Sequence, residues 1–297
     1  MDEQINFTRP TTVAEMLKRM ENFSTPEGWQ RGLDYKPAAT EVFIVTPPKC
    51  GTTWMQQIVH GLRTRGSMDF DEICRVIPWL HMAHDCGMDI DAPQVAQPRA
   101  FKSHLQLDQN PQGGKYIVVV RNPHDALLSH YLFFEGFFFE KGSIDLETFA
   151  REFYLPRQAI FHHILALWPR RKDPNVLALC FENMKANLSH TIDRVAEFIG
   201  IPLDAELKEI VMRQSDIKFM QAHEAQFEDH LIRKARGPAM GLPVDGRLSK
   251  VRDGQVGSAK LSLPASIKSE LDDIWTRELA PKIGLNSYEE LMKELAN

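Results

Sequence analysis

Residues 115–120, Lys-Tyr-Ile-Val-Val-Val, make an unbroken apolar and largely β-branched run after the first lysine. A strand sends alternate side chains to opposite faces, so a run of this kind needs both faces covered. That requirement selects a parallel sheet with helices packed on each side. Glu-Val-Phe-Ile-Val at 41–45 and Asn-Val-Leu-Ala-Leu-Cys at 175–180 repeat the pattern. Helical spacing follows the first of these at Trp54, Ile58 and Leu62. After the central run, Asn122-Pro123 reads as a helix start, with Asn as cap and Pro in the first turn. Further helices are expected over 10–23, 145–153, 157–168, 187–199, 204–214 and 264–278, and turns from 24 through Pro37. The expected fold is α/β: a single domain over residues 1–297, its central parallel sheet flanked by helices. Residues 1–38 form an N-terminal helix and turn segment, and the charged, Gly- and Pro-containing stretch 223–249 is expected to be a mobile lid.

Composition removes several function classes. Lys and Arg total 35 against 40 Asp and Glu, a net charge of -5, which argues against a nucleic-acid partner. Local anion binding stays open, because net charge says nothing about where cations cluster. The N-terminus Met-Asp-Glu-Gln-Ile-Asn-Phe-Thr has no apolar stretch of the secretory kind. The most apolar segments, around 116–120 and 131–139, are far shorter than the ~20 residues a membrane helix needs, so no membrane insertion is expected. Cys50, Cys74, Cys86 and Cys180 show no CxxC spacing, and a reducing, cytoplasmic location is expected.

Between the first strand and its helix lies Thr-Pro-Pro-Lys-Cys-Gly-Thr-Thr-Trp, residues 46–54. Gly51 lets the backbone approach an anion, and the N–H groups that open the helix point at it. Thr52 and Thr53 add hydroxyl donors and Lys49 a mobile positive charge. The loop suits a multiply charged oxyanion. It is not a Walker A sequence, because Lys49 precedes Gly51 by two positions and prolines stand where the earlier glycine would be. Cys50, at the helix start beside Lys49, is placed for a lowered thiol pKa. A second cationic position follows the central strand: Arg121, with Ser129 in the next helix. A guanidinium gives forked, permanent phosphate recognition, to which a serine hydroxyl adds one bond. A kinase would place a carboxylate for magnesium at such a strand end, whereas this one ends in Arg.

Thr-Pro-Pro-Lys-Cys-Gly-Thr-Thr-Trp resembles the 5′-phosphosulfate loop of the cytosolic-type sulfotransferases, which use 3′-phosphoadenosine 5′-phosphosulfate (PAPS) and release 3′-phosphoadenosine 5′-phosphate (PAP). The resemblance spans roughly residues 40–285 and implies a P-loop-nucleotide-kinase-like α/β fold. It implies that Lys49 contacts the bridging and sulfuryl oxygens, that Gly51, Thr52 and Thr53, with Cys50 in the loop, cradle the 5′-phosphate, and that Trp54 stacks on adenine. Arg121 and Ser129 resemble the family's 3′-phosphate site. Val-Arg-Asp-Gly-Gln-Val-Gly-Ser-Ala-Lys at 251–260 resembles the family's R-K-G-x-x-G-x-W-K segment, matching at Arg252, Gly254, Gly257 and Lys260. Asp253 replaces the usual Lys and is expected to point away, and the Trp is missing. By the same resemblance Phe181 and Ser215 lie near adenine. Ile217 stands at a usually aromatic position, with core packing as the other reading.

Lys102 and His104 lie two residues apart in Phe-Lys-Ser-His-Leu, so in an extended segment both side chains face one way. An acceptor hydroxyl loses its proton as it attacks sulfur, and His suits that task near neutral pH. The resemblance to the family's K-T-H-L implies His104 as general base, with Lys102 holding the sulfuryl oxygens. His81 and His84 share a helical face, but no further ligand is evident, and no metal is expected there. The run 132–143 holds Phe133, Phe134, Phe137, Phe138 and Phe139, with Gly136 breaking it. It reads either as a helix end with core-facing aromatics or as the wall of a hydrophobic small-molecule acceptor site. The family's C-terminal dimer motif is absent, so the oligomeric state stays open. A P-loop kinase and a non-catalytic nucleotide-binding protein are the competing readings.

Overall fold

The computed structural model describes residues 7–244, 250–251 and 254–296. Its sheet has four parallel strands: β1 (Val42–Val45), β2 (Ala100–Ser103), β3 (Lys115–Val120) and β4 (Val176–Cys180), in the order β2-β1-β3-β4. Both faces are covered, as the apolar runs demand. Phe43, Val45, Tyr116, Val118 and Val120 enter one core, while Val42, Ile44, Ile117 and Val119 enter the other. Side chains of this size contribute about 1.5–3 kcal/mol each when buried. A one-residue slip of register would therefore exchange the two cores and is strongly disfavoured.

Among the helices are α1 (Val13–Met20), α2 (Pro26–Asp34), α3 (Thr52–Thr64) and α4 (Pro123–Phe137). Asn122 caps α4 as expected, its side-chain oxygen accepting from the His124 N–H at 3.0 Å, with Pro123 in the first turn. The helix continues through Gly136 with a kink at Glu135.

Two expectations need correction. Residues 24–37 are not all turn, since α2 occupies most of them; Thr25 accepts from the Gly28 N–H at 2.9 Å ahead of Pro26, a helix-start signal hidden by the two glycines in the helix. The sheet also has one strand more than the three apolar runs. β2 ends in Lys102 and Ser103, so its sequence lacks the continuous apolar signature, although both residues are buried. Of the stretch 223–249, residues through 244 carry a 3₁₀ turn at Glu224–Phe227, a helix at His230–Arg236 and another turn at Pro238–Met240.

Candidate active site

The carboxyl ends of all four strands open into one cavity of about 590 Å³, where parallel α/β sheets hold their ligands. Lys49 follows β1, His104 follows β2, Arg121 follows β3 and Phe181 follows β4, and all four line it. Gly51, Thr52, Thr53, Trp54, Lys102, Ser129, Ser215, Ile217 and Gly254 line it too. Residues spread over two hundred positions are thus brought to one place by strand order. Arg252 and Asp253 lie outside the described residues, as does the Lys260 side chain.

The loop after β1 is strained in a way that suits an anion. Lys49 has φ 67° and Gly51 φ 96°, both in the left-handed region. Such a conformation in a lysine persists only where its surroundings hold it, and it clusters at binding sites. A Cβ on Gly51 would come within 3.0 Å of the Phe181 ring. No side chain caps α3, which leaves its opening N–H groups for a ligand. The cationic part of the cavity is built around this loop. Arg121 donates to the Lys49 carbonyl at 3.1 Å and to the Gln255 carbonyl at 3.0 Å, joining the phosphate loop to the C-terminal segment. Its guanidinium lies 4.3 Å from the Phe181 ring centre. Trp54 is held by a 2.9 Å bond from its indole N–H to the Ser215 carbonyl and meets Phe181 edge-on. The buried Ser215 hydroxyl has no hydrogen-bond partner among the described residues. An orphaned hydroxyl and an aromatic face beside cations and the N–H groups that open α3 fit an adenine nucleotide. Ile217 both lines the cavity and packs in the core, so its two readings are not exclusive.

Cys50 departs from expectation. Its side chain is fully buried, lies outside the cavity lining and sits 3.7 Å from the Pro48 carbonyl. Burial pushes the thiol pKa up, not down, despite Arg121 and Lys49 nearby. Cys50 should therefore resist maleimide at pH 8 in the folded protein and react only in denaturant. Mass spectrometry of the adducts checks this, and fast native labelling of Cys50 would contradict the burial.

His104 is fixed from two sides. Its Nδ1–H donates to the Thr46 carbonyl at 2.9 Å, since a carbonyl only accepts; this leaves Nε2 as the basic nitrogen. Its own carbonyl lies 3.1 Å from His163 Nε2, and Trp79 stands edge-on at 4.8 Å. Thr46 follows β1 directly, so one hydrogen bond ties the imidazole to the start of the phosphate loop. Burial, with Lys102 adding to it, brings the His104 pKa down to about 3, so the ring is neutral. Lys102 is buried beside it, its ammonium 3.7 Å from Asp229 and 4.6 Å from the Trp79 ring centre. Burial opposes that charge, but Cys74, Asp229 and Glu72 outweigh it and raise Lys102 to about 12. Lys250 pairs with the same Asp229, and both line the cavity. Burial acts against the Asp229 carboxylate too, yet Lys250 and Lys102 hold it well below the usual carboxylate range.

Sequence reading missed Asp229, Lys250, Trp79 and Asp125. Asp125 accepts from the Gly257 N–H at 2.6 Å and the Ala259 N–H at 3.0 Å, and so holds the C-terminal segment against α4. None carries a local signal, because each acts through a partner remote in sequence. Glu72, Cys74 and Asp229 bring ligand atoms within 4.8 Å of one another. Two ammonium groups already face Asp229, which disfavours a further cation there. His81 packs against Trp29 at 5.1 Å.

The remaining wall is aromatic. Phe133, Phe134, Phe137 and Phe138 line the cavity with Phe23 and Phe153, while Phe139 is buried in the core. The run thus serves both alternatives at once: Phe133, Phe134 and Phe137 on α4 and Phe138 at its end face the cavity, and Phe139, just past the helix, turns into the core.

The family model for the sulfotransferase domain matches residues 39–296. The chain belongs to the sulfotransferase domain family. As a member it is an enzyme, a PAPS-dependent sulfotransferase. Among curated relatives it is similar to sulfotransferase 2A1 of Rattus norvegicus, 26% identical over 252 residues, covering 81% of this chain and 84% of the relative. Its fold matches mouse sulfotransferase SULT7A1 complexed with PAP at a TM-score of 0.68, with 19% identity and coverage of 93% and 96%. It also matches retinol dehydratase in complex with retinol and PAP, at 0.67 and 17%, with coverage of 92% and 97%. No helix among the described residues is long and apolar enough to cross a membrane.

Proposed function

We propose that this sulfotransferase moves the sulfuryl group onto a hydroxyl or amine of a small hydrophobic acceptor, by in-line displacement with His104 as general base. The observation that carries this reading is the position of His104. It lines one cavity with the cationic loop at Lys49 and the aromatic wall, with Nδ1 tied and Nε2 left to accept a proton. In the step, the acceptor oxygen or nitrogen forms a bond to sulfur as the bond from sulfur to the bridging phosphate oxygen breaks. The acceptor proton passes to Nε2, and PAP leaves with the negative charge of the leaving oxygen. Lys49, Lys102 and the amides opening α3 stabilise that charge in place, which is worth most where it needs no reorganisation. Holding both partners in line supplies much of the rest.

Gly51, Thr52 and Thr53 are assigned to the 5′-phosphate. Arg121, Ser129 and Gly254, with Arg252, are assigned to the 3′-phosphate, with the Asp253 carboxylate directed away from it, and Trp54, Phe181, Ser215 and Ile217 to the purine. Cys50 contributes backbone only. Cationic side chains carry the charge, so no metal is required in this reading. The stretch 223–249, which brings Asp229 and Ile232 to the cavity, serves as cover for the acceptor. Small acceptors such as the retinol named for one structural neighbour fit an aromatic wall of this kind. A cytoplasmic location suits four cysteines that are all free.

Calorimetric titration with PAP in EDTA, alongside ATP with magnesium, tests the donor assignment. PAP should bind without metal, and Arg121→Ala should weaken it about 10- to 100-fold, as expected for charge-assisted bonds to phosphate. A preference for magnesium-ATP would sink the reading.

A further inference from the structure

Among the described residues, the His130 side chain has no hydrogen-bond partner. It follows Ser129 on α4, is 8% exposed, and lines the cavity. Its ring meets Phe134 at 4.5 Å, Tyr154 at 5.7 Å, Phe153 at 5.8 Å and Phe149 at 6.0 Å, all nearly edge-on. Neither ring nitrogen makes a hydrogen bond to a described residue. Burial is the main cause that keeps the imidazole neutral, with Lys49 and Arg157 adding to it. The Tyr154 hydroxyl, on the neighbouring wall, also has no hydrogen-bond partner among the described residues.

A buried imidazole left unpaired is costly, and a phenylalanine would fill this aromatic box at no such cost. Buried polar groups without protein partners mark places where a ligand supplies the bond. The donor's phosphates are already matched by Lys49, Arg121 and the α3 amides. The acceptor part, by contrast, is walled mainly by phenylalanines, which offer no hydrogen bond, with His130 and Tyr154 set among them. We infer that His130 is a specificity-determining residue that binds a second, uncharged oxygen function of the acceptor, a carbonyl or hydroxyl remote from the group that takes the sulfuryl. This rests on the acceptor reading above and narrows it to apolar molecules with two oxygen functions. A neutral imidazole offers one donor and one acceptor, so it matches either a carbonyl or a hydroxyl. A site built to hydrogen-bond a substrate oxygen discriminates against the analogue lacking it far more strongly than an apolar pocket does.

The test compares acceptors that differ only in the remote oxygen. Androsterone against 5α-androstan-3α-ol is one pair, and 4-(4-hydroxyphenyl)butan-2-one against 4-butylphenol is a smaller one. With PAPS as donor, the wild type should favour the ketone member of an accepted pair by about 10- to 100-fold in kcat/KM. In His130→Phe the preference should fall to within about twofold, through loss on the ketone and not through gain on its partner. PAP affinity should stay unchanged, which also reports that the variant folds. His130→Gln, which keeps a donor and an acceptor, should recover part of the preference. An equal preference in wild type and His130→Phe overturns the inference while leaving the acceptor reading intact, as does no preference in the wild type. If PAP binds but no member of either pair is sulfated, the hydrophobic-acceptor reading fails and this inference falls with it.

Discussion

Alanine in place of His104 should leave PAP affinity within about twofold of wild type and cut sulfuryl transfer by about 10³-fold, the middle of the range for a general base. The separation of effects follows from the geometry. His104 makes its fixed contact to the Thr46 carbonyl through Nδ1, and the phosphate loop is held independently by the bond from Arg121 to the Lys49 carbonyl. Lys49→Ala is the contrasting case: it removes a cation from the donor site and should weaken PAP as well as slow transfer. The pH profile adds a second readout. Burial with Lys102 nearby lowers the free-enzyme pKa of His104 to about 3, so the basic form persists as pH falls through the ordinary histidine range. The profile of kcat/KM for the donor should therefore show no acid limb near pH 6.5. The bound donor brings negative charge that favours the imidazolium, so any limb in kcat should lie above that in kcat/KM. Rates of His104→Ala within tenfold of wild type would remove the general base from the mechanism.

What the sequence revealed and what it hid divide along a physical line. The phosphate loop was legible because its parts are contiguous: strand, Lys49, Gly51, Thr52, Thr53 and helix all fall within two dozen residues. The three runs that became β1, β3 and β4 were legible because burial on both faces forces a continuous apolar signature. β2 was not, because the strand that carries Lys102 exchanges that signature for chemistry. The environment of Lys102 was hidden for a different reason. Its partner Asp229 is more than a hundred residues away and Lys250 further still, and pairing of charges across such distances leaves no local pattern. Cys50 shows the limit of reading neighbours in a chain. Lys49 precedes it in sequence, yet the left-handed turn at Lys49 and Gly51 sends the thiol into the core. The aromatic run defeated a choice between two readings, since four phenylalanines up to the end of α4 line the cavity while Phe139, one residue past that end, turns into the core.

Stability should collapse in mild acid, and histidines outside the catalytic step should be the cause. His60, His81, His130 and His163 are all buried, and burial is the leading cause that lowers each: to about 4 for His60, His81 and His163, and about 3 for His130. In the unfolded chain each returns to about 6.5. Between those values the unfolded state holds the extra proton, so stability rises with pH there and is fully present only above about pH 6.5. As pH falls toward 4, each histidine withdraws up to about 3 kcal/mol. Together that rivals the ~5–15 kcal/mol by which a domain is stable at all. Glu72 and Glu182 act in the opposite sense, because burial raises their carboxyl pKa and protonation relieves them; two such groups offset only part of four histidines. The melting temperature should thus be level between pH 7 and 8 and fall steeply below pH 6. His81→Leu isolates one contribution. Both His81 nitrogens are buried against Trp29 without a partner among the described residues, so leucine should hold or raise the melting temperature at pH 7. It should also reduce proton uptake on unfolding near pH 5.5 by about one. A melting temperature that stays flat from pH 7 to 5 would mean that these rings are hydrated or paired in solution, and that the core around them is looser than its packing indicates.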